Sequence, residues 1–479
     1  MDSVGWGGLS ASSAAPRIAI VGAGIAGLNA AYQLQKVGLR ATVYEAKPRV
    51  GGRIQSRQGL VLPGLINDLG AAFINSDHFD ILTLVEELSL ELFDRRTLTQ
   101  ALSLPEVAFY FQGRRLEEPE LVDALAPLAQ QIGWDGAQLE ANFDRYAPPL
   151  DALSVADYLD VHHDKIQQPY VRSLIAASIR TEYGVEADQS SALQLVYNLP
   201  RVHNRRVEML QADELFIVKG GTEQIPRALA QRLGDQCAWA GDYGLWPPRG
   251  QGFRLSFDQG TVEADYVILA MPFPALRRVD IQVDLPNTLR QFIQAGNPGR
   301  NEKLFAGFSQ RSWLQANGFT GAAWSDLGYS GLWDDTQRQP EHPQGVLTFF
   351  LGGQEVEQSQ MAIHDQGQRF IDQISAHLPA LKFTTDGRFA RTAWGQDPDF
   401  GGGYTTFSPG QYTRFRSFLY VESAHPGEQQ RVQVGNLLFS GEQFSDAYYG
   451  YMNGAAQTAR LAANWVQQQV APSGVAALP

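Results

Sequence analysis

A glycine-rich turn between a short strand and a helix constrains the fold of this chain more than any other feature. The apolar run RIAIV, at 17–21, leads into GAGIAG and then into a stretch whose apolar residues recur at helical spacing. Gly22, Gly24 and Gly27 fit the pattern G-x-G-x-x-G, whose glycines permit a tight turn, close approach to a pyrophosphate and contact between helix and strand. The sequence therefore predicts a dinucleotide-binding βαβ unit near its start.

Three stretches after this turn supply further candidate cofactor-binding residues. A second strand, ATVYE, ends in Glu45, at the distance expected of an acid that binds a ribose hydroxyl. The run RVGGRI offers Gly52 and Arg53, and a guanidinium suits the charge of a diphosphate. The run NDLGAAF adds another tight glycine turn at Gly70 and Ala71.

Length, composition and charge limit the possible classes of protein. A chain of 479 residues exceeds what one hydrophobic core usually supports, so two or more substructures are expected. A formal charge of −13 argues against nucleic acid or an anionic membrane as a partner. The longest apolar run, 18–34, is broken by glycines and is shorter than the ~20 residues of a membrane span. We expect no membrane span.

Cysteine and histidine usage argues against disulfides and metals. The single cysteine, Cys237, excludes an intramolecular disulfide and a cysteine metal site. His162 and His163 have no partners at metal-ligand spacing, so no metal site is predicted. The start of the chain has neither the basic nor the apolar region of a signal peptide. We expect a soluble, cytoplasmic protein, and a periplasmic or secreted one stays open.

The far end of the chain carries a second strand, loop and helix. The stretch NLLFSGEQFSDAYYGYMNGAAQTARLAANWV, at 436–466, predicts a helix that begins near Tyr451. Helix N-termini stabilise anions and electron-rich atoms. This helix start is therefore a second candidate contact for a cofactor.

The motif order GxGxxG, E, GGR and DLGA closely resembles the FAD-binding half of the flavin amine oxidase superfamily. That superfamily includes monoamine oxidases, polyamine oxidases and L-amino-acid oxidases. The resemblance implies an FAD cofactor. In this family a glycine and an acid after the C-terminal strand contact the ribityl chain, and the next helix points its N-terminus at the flavin ring. The residues that match are Gly441, Glu442, Gly450, Tyr451 and Met452.

The same resemblance implies roles for residues near the flavin ring. In monoamine oxidases a flavin-linked cysteine precedes a tyrosine, and GGGYT has Gly403 at that position, which implies non-covalent FAD. Tyr404 and Tyr451 match two aromatic residues that form a cage over the flavin face. Lys303, in NEKLFAGF, matches a lysine that holds a water against flavin N5. The resemblance thus implies Lys303, Tyr404 and Tyr451 as catalytic residues.

The implied function is FAD-dependent oxidation of an amine. A hydride equivalent passes from the α-carbon to flavin N5, the imine hydrolyses to an aldehyde, and O2 is reduced to H2O2. The candidate substrate-binding residues are Asn75, Asp77, Glu182, Tyr404 and Tyr451. Acids that pair with a second positive charge predict a di- or polyamine such as spermine, spermidine or putrescine.

Three alternatives stay open. An L-amino-acid oxidase needs a cation for the α-carboxylate, but Ala72 and Phe73 stand where its arginine is expected, and Arg180 is one possible substitute. A desaturase or protoporphyrinogen oxidase shares the FAD-binding half, although the tyrosine pair and Lys303 argue against it. A non-catalytic flavoprotein would differ from all of these in releasing no peroxide.

We expect an α/β fold in which a Rossmann-type FAD-binding domain is interleaved with an α+β substrate-binding domain and a helical insertion. Segments that are far apart in the sequence must come together in this fold, because each predicted domain is built from separate stretches of chain. The FAD-binding domain is predicted from 16–76, 214–284 and 430–467, and the substrate-binding domain, with the helical insertion, from 77–213 and 285–429. Residues 1–15 are predicted to be a disordered tail and 468–479 a flexible one.

Overall fold

The structure is a computed structural model that describes residues 15–470, apart from positions 199, 204, 211, 240–242, 247–251, 259 and 316. The predicted tails therefore lie outside the described residues, except for residue 15 and residues 468–470. Those last three residues belong to a helix rather than to a flexible tail.

The strands of the described residues are short in the first half of the chain and longer in the second. In chain order they are β1 (Ile18–Val21), β2 (Ala41–Glu45), β3 (Ser56–Gln58), β4 (Ile66–Asp68), β5 (Phe73–Ile74), β6 (Leu92–Asp94), β7 (Val107–Phe111), β8 (Arg114–Leu116), β9 (Arg201–His203), β10 (Arg206–Glu208), β11 (Phe216–Val218), β12 (Cys237–Trp239), β13 (Tyr243–Trp246), β14 (Phe253–Phe257), β15 (Gly260–Ala264), β16 (Tyr266–Leu269), β17 (Asn301–Phe308), β18 (Ala322–Ser325), β19 (Gly331–Asp334), β20 (Gly345–Gly352), β21 (Thr385–Arg391), β22 (Gln433–Val434) and β23 (Leu437–Phe439).

Five of the α-helices of the described residues lie between β8 and β9, and the last one follows β23. In chain order the α-helices are α1 (Ile25–Lys36), α2 (Phe79–Glu87), α3 (Arg96–Ala101), α4 (Glu118–Ala141), α5 (Phe143–Asp151), α6 (Val155–Val161), α7 (Tyr170–Tyr183), α8 (Ala192–Asn198), α9 (Gln224–Leu233), α10 (Phe273–Leu276), α11 (Asn287–Ala295), α12 (Ile363–Ser375), α13 (Leu381–Thr384), α14 (Gln411–Phe415) and α15 (Met452–Val470).

The first sheet joins strands from three distant parts of the chain, in the order β12-β2-β1-β16-β23-β22. The strands β12, β2, β1, β16 and β23 run parallel to one another, and β22 pairs with β23 in the antiparallel direction at the edge. All four residues of β1 are buried, as expected for a central strand covered on both faces. The predicted α/β class is confirmed.

The turn after β1 requires glycine at two positions for steric reasons. Gly22 has a φ of +103°, and a Cβ there would lie 2.5 Å from the carbonyl oxygen of Ala270. A Cβ on Gly27 would lie 1.9 Å from the carbonyl oxygen of Gly22, so α1 can pack closely on its own strand only with glycine. This close packing places the N-terminus of α1 at the carboxyl end of the sheet.

A second, seven-stranded sheet has the order β21-β17-β20-β19-β18-β7-β8. Its longest strands, β17 and β20, are antiparallel to each other and buried along their whole length. The helices α4 to α8 lie in the chain between β8 and β9. The last of their long members, α7, ends at Gly184, which has a left-handed φ of +64°.

A small sheet, β5-β11-β6, connects the start of the chain to residues 216–218. Phe216 lies opposite Ile74 in this sheet, so the residues just before β11 lie beside those just after β5. Among the described residues, no helix is both long and apolar enough to cross a membrane.

Candidate active site

One continuous cavity of about 450 Å³ runs from the glycine turn after β1 to the second sheet. Its first part is lined by Gly22, Gly24 and Glu45, and its far part by side chains of β17, β19 and β20. A Cβ on Gly24 would meet no protein atom within 4 Å, so a side chain there would project into this cavity. The turn thus forms the kind of glycine cradle that a dinucleotide requires.

Backbone amides fix the orientation of Glu45 at the end of β2. One carboxylate oxygen accepts a hydrogen bond from Ala23 N at 2.7 Å, and the other accepts one from Lys47 N at 2.9 Å. Glu45 lines the cavity. A carboxylate held in this way is suited to bind a pair of hydroxyl groups.

The carboxylate of Glu442, from a late part of the chain, connects residues that line the cavity. Arg53 Nη1 donates to Glu442 Oε1 at 2.8 Å and to the carbonyl oxygen of Gly403 at 2.7 Å. Glu442 Oε2 accepts from the amide of Gly450 at 2.7 Å. Three distant parts of the chain therefore meet at Arg53, Gly403 and Glu442.

The glycine run at 401–403 packs closely against neighbouring segments of the chain. A Cβ on Gly402 would lie 2.0 Å from the carbonyl oxygen of Gly299, and one on Gly403 would lie 3.0 Å from Asn301 Oδ1. Gly403, unlike Gly402, lines the cavity. The run therefore lets the chain pass close to the segment before β17 and turn Gly403 and the next residue toward the cavity.

The last turn of α7 anchors both tyrosines of the predicted cage. The hydroxyl of Tyr404 donates to the carbonyl oxygen of Thr181, and that of Tyr451 donates to Glu182 Oε1. Both tyrosines line the cavity, and burial raises the pKa of each well above its usual value. The two rings are therefore neutral and fixed in orientation.

The ammonium of Lys303 reaches the cavity from β17. Its Nζ donates to the carbonyl oxygens of Asp68 and Gly70, both at 2.8 Å, and lies 5.4 Å from the ring centre of Trp333. Burial lowers the pKa of Lys303, and the carboxylates of Asp335 and Asp68 oppose that shift. Because an ammonium has three donors, one remains for a group in the cavity.

A buried ionic network supports this lysine from behind. Arg338 Nη2 lies 2.7 Å from Asp68 Oδ2, and both side chains are almost completely buried. Asp335 Oδ2 accepts from Asn67 Nδ2 at 2.7 Å. Burial disfavours the charge on Asp68, but Arg338 and other partners hold the pKa of its carboxyl below the usual value.

Glu182 and Glu214 are two of the acidic residues that line the cavity. Burial raises the pKa of Glu182 to about 8, although the Tyr451 hydrogen bond opposes the shift, and the neighbouring charge of Glu214 raises it further. Glu214 forms an ion pair with Arg95 at 3.3 Å. Among the described residues Glu182 has no such cationic partner; its hydrogen bonds are with Tyr451 and Asn198. Glu182 is therefore the carboxylate that is open to a cationic ligand.

The structure brings most of the predicted site residues to the cavity, but not all of them. Gly27 lies on α1 against the turn, where it serves packing. Asp77 is exposed and is not among the residues that line the cavity. The predicted residues that line it are Gly22, Gly24, Glu45, Gly52, Arg53, Gly70, Ala71, Asn75, Glu182, Lys303, Tyr404, Gly441, Glu442, Tyr451 and Met452.

Several cavity residues were not predicted from the sequence. They are Thr181, Glu214, Trp333, Phe350 and Trp394. The amide of Glu214 donates to Asn75 Oδ1 at 3.0 Å, a contact that depends on the pairing of β5 with β11. Glu214 begins the run ELFIV, but no local sequence feature indicated which strands this segment would pair with.

Comparison with known proteins identifies the family. The family model described as flavin containing amine oxidoreductase matches residues 25–467. The chain belongs to this family. It is therefore an FAD-dependent amine oxidoreductase, and the resemblance seen in the sequence motifs is confirmed. The glycine cradle, Glu45 and Arg53 line one cavity, and their chemistry suits the diphosphate and ribose groups of FAD.

Relatives of this oxidoreductase match along nearly the whole chain. A putative flavin-containing monoamine oxidase, AofH, of Mycobacterium tuberculosis is 27% identical over 93% of this chain and 95% of its own. Putrescine oxidase of Kocuria rosea is 25% identical over 93% of this chain and 94% of its own. A solved structure of wild-type putrescine oxidase bound to putrescine has a TM-score of 0.78 at 22% identity, and the match covers 95% of this chain and 99% of that one.

The FAD of this oxidoreductase is bound without a covalent link. Gly403 offers no thiol at the position of the flavin-linked cysteine of monoamine oxidases. The single cysteine, Cys237, lies on β12 and is not among the residues that line the cavity. Among the described residues, no group of His, Cys, Asp or Glu is placed to hold a metal ion.

Glu45→Ala is expected to weaken FAD binding about tenfold and to leave the preference among amines unchanged, because we assign Glu45 to the ribose hydroxyl groups, where a carboxylate would make charge-assisted hydrogen bonds away from the amine. Titration of FAD into the apoprotein measures the first effect, and peroxide release from several amines measures the second. Glu341→Ala, at an exposed acid, is the matched control. Equal retention of FAD by Glu45→Ala and the parent protein after dilution would refute the ribose assignment.

Proposed function

We propose that this amine oxidoreductase oxidises a di- or polyamine at one end while a carboxylate holds a second ammonium group. The observation that supports this proposal is the position of Glu182, which lines the cavity beside Tyr451 without a cationic partner among the described residues. A buried carboxylate without a cation is costly to ionise, and a ligand ammonium supplies the missing charge. Glu214 also lines the cavity, and its charge makes the electrostatic potential near Glu182 more negative.

The two tyrosines bind and orient the amine that reacts. Their neutral π faces attract an ammonium and exclude water from the reacting carbon. Because Thr181 and Glu182 hold the two hydroxyl groups, the rings cannot turn away when the cavity fills. When FAD is bound, it accepts the hydride equivalent that the α-carbon of the amine gives up.

Lys303 completes the site on the side of the second sheet. Its third N–H is free to hold a water in the cavity, while the carbonyl oxygens of Asp68 and Gly70 keep the ammonium in place. We assign to it the positioning of that water for imine hydrolysis or for the reaction with O2. Trp333 and Phe350, whose ring centres are 5.2 Å apart, close the cavity beside it.

The cationic residues of the cavity give little support to an L-amino-acid oxidase. Arg180, one candidate for binding an α-carboxylate, forms an ion pair with Glu186 at 2.7 Å and is not among the lining residues. Arg53 is occupied by Glu442. The other cations among the described lining residues are Lys47 and Arg278, which pair with Asp399, and Lys303, which donates to backbone carbonyl oxygens.

The test is Glu182→Gln, which keeps the size of the side chain and removes its charge. We expect kcat/KM for putrescine to fall about 10- to 100-fold, the usual loss for a charge-assisted hydrogen bond, and kcat/KM for butylamine to change less than about threefold. Peroxide release with spermine, spermidine, putrescine, phenylethylamine and L-arginine sets the preference of the parent protein.

Asp77→Asn is the matched control for this experiment, because Asp77 is an exposed acid that is not among the residues that line the cavity. It should leave both kcat/KM values unchanged. Equal losses for putrescine and butylamine in Glu182→Gln would contradict the diamine proposal. Turnover of L-arginine without turnover of any polyamine would instead support an amino-acid oxidase.

A further inference from the structure

The segment 394–403, called the strap below, crosses the cavity and is attached at both of its ends. At one end, Trp394 Nε1 donates to the carbonyl oxygen of Leu69 at 3.0 Å. At the other, the carbonyl oxygen of Gly403 accepts from Arg53 Nη1 at 2.7 Å. Both ends of the strap, and Asp399 and Phe400 between them, line the cavity.

The middle of the strap is attached by ion pairs to two other parts of the chain. Lys47 Nζ lies 2.9 Å from Asp397 Oδ2 and 2.7 Å from Asp399 Oδ2, and Arg278 forms a further ion pair with Asp399. Lys47 follows β2 and Arg278 follows α10, so these cations come from separate elements. Lys47, Arg278 and Asp399 all line the cavity, on the side of Glu45.

Hydrogen bonds within the strap help to fix the positions of its carboxylates. Asp397 Oδ1 accepts from the amide of Asp399 at 3.0 Å, and the carbonyl oxygen of Asp397 accepts from the amide of Gly401 at 2.8 Å. The ammonium of Lys47 also lies 5.2 Å from the ring centre of Phe400. A short turn thus presents two acids and one aromatic ring to the same lysine.

We infer that Lys47 and Arg278, through their ion pairs with Asp397 and Asp399, hold the strap closed over bound FAD and so limit the rate at which FAD dissociates. Opening the cavity along the side of Glu45 requires the strap to leave both cations. The two cations face two carboxylates, which leaves the cluster without net charge and with little attraction for a diphosphate of its own. Lys47 and Arg278 are therefore positioning residues that act through the strap.

The ion pairs are partly exposed, which makes them sensitive to salt. The side chain of Lys47 is 27% exposed and that of Asp399 is 24% exposed. Exposed pairs are individually weak, but a network that must break together has a larger effect on a rate. Because salt screens such pairs, the strap should open more readily at high ionic strength.

The test measures FAD dissociation from the holoenzyme by the fluorescence of released FAD after dilution. In low salt, Lys47→Met and Asp399→Asn are each expected to release FAD roughly fivefold faster than the parent protein. In 1 M NaCl the parent should accelerate by a similar factor, because the Debye length falls to about 3 Å, and the variants should accelerate little. Lys219→Met, which removes an exposed ion pair with Glu91 outside the cavity lining, is the matched control and should match the parent.

The variant Asp399→Asn distinguishes attachment of the strap from direct contact between Lys47 and the cofactor. If Lys47 binds FAD itself, Asp399→Asn frees that cation, and FAD leaves at an unchanged or slower rate, which overturns the proposal. Unchanged dissociation in both variants also overturns it. The unfolding midpoints of the apoproteins should equal that of the parent, since a general loss of stability would lower them. None of these measurements depends on which amine is the substrate.

Discussion

Lys303→Met should slow turnover about 100-fold while FAD stays bound. A loss of this size is typical when one preorganised hydrogen-bond donor is removed from an active site. The methionine keeps most of the side-chain length but cannot donate to the carbonyl oxygens of Asp68 and Gly70 or to a water in the cavity. Stopped-flow absorbance should show which half-reaction is slowed, the reduction of the flavin by amine or its reoxidation by O2.

Lys382→Met is the matched control, because Lys382 is exposed on α13. Its rates should equal those of the parent protein. If Lys303→Met showed parental rates in both half-reactions, Lys303 would have no catalytic role, and its burial would be purely structural. Loss of FAD from the purified variant would instead indicate that the lysine supports the cofactor site.

The largest effect on stability is expected from Arg338→Met. This change leaves Asp68 and Asp335 buried with Lys303 as the remaining cation of the network, and breaking a buried ion pair on one side typically costs about 3–5 kcal/mol. Urea unfolding of the holoenzyme, followed by tryptophan fluorescence, should show a large fall in the midpoint.

Arg388→Met removes an ion pair with Asp386 in which the arginine is largely exposed, so it should cost less than about 1 kcal/mol. A midpoint for Arg338→Met that equals the midpoint of this control would show that the buried network adds nothing to stability. A fall in turnover that accompanies the fall in midpoint would connect the network to the position of Lys303.

The cofactor half of the site could be predicted from the sequence because its signals are local. Gly22 and Glu45 lie within one βαβ unit, where the turn, the helix start and the second strand determine each other. The contact between Arg53 and Glu442 joins residues almost 400 positions apart, and only the family pattern suggested that both serve the same cofactor. Physical reasoning from the residues alone could not have paired them.

The substrate side was harder to predict because its residues depend on the packing of different elements. Asp77 and Glu214 are both acids next to short strands, yet Asp77 is exposed and Glu214 lines the cavity. The pairing of β11 with β5 and β6 decides this difference. The local sequence around Asp77 and around Glu214 does not indicate which distant strands will pair. The sequence therefore suggested acids near the flavin but selected one of them wrongly for the cavity wall.

The sequence by itself determined the dinucleotide-binding unit, the flavin amine oxidoreductase family and the absence of a thiol at Gly403, because these depend on residue identity and short spacing. Tertiary structure alone decided that the last turn of α7 anchors Tyr404 and Tyr451, and that Glu182 lies beside them without a cation among the described residues. Hydrogen bonds and ion pairs act over a few ångströms, so they depend on which distant segments the fold brings together.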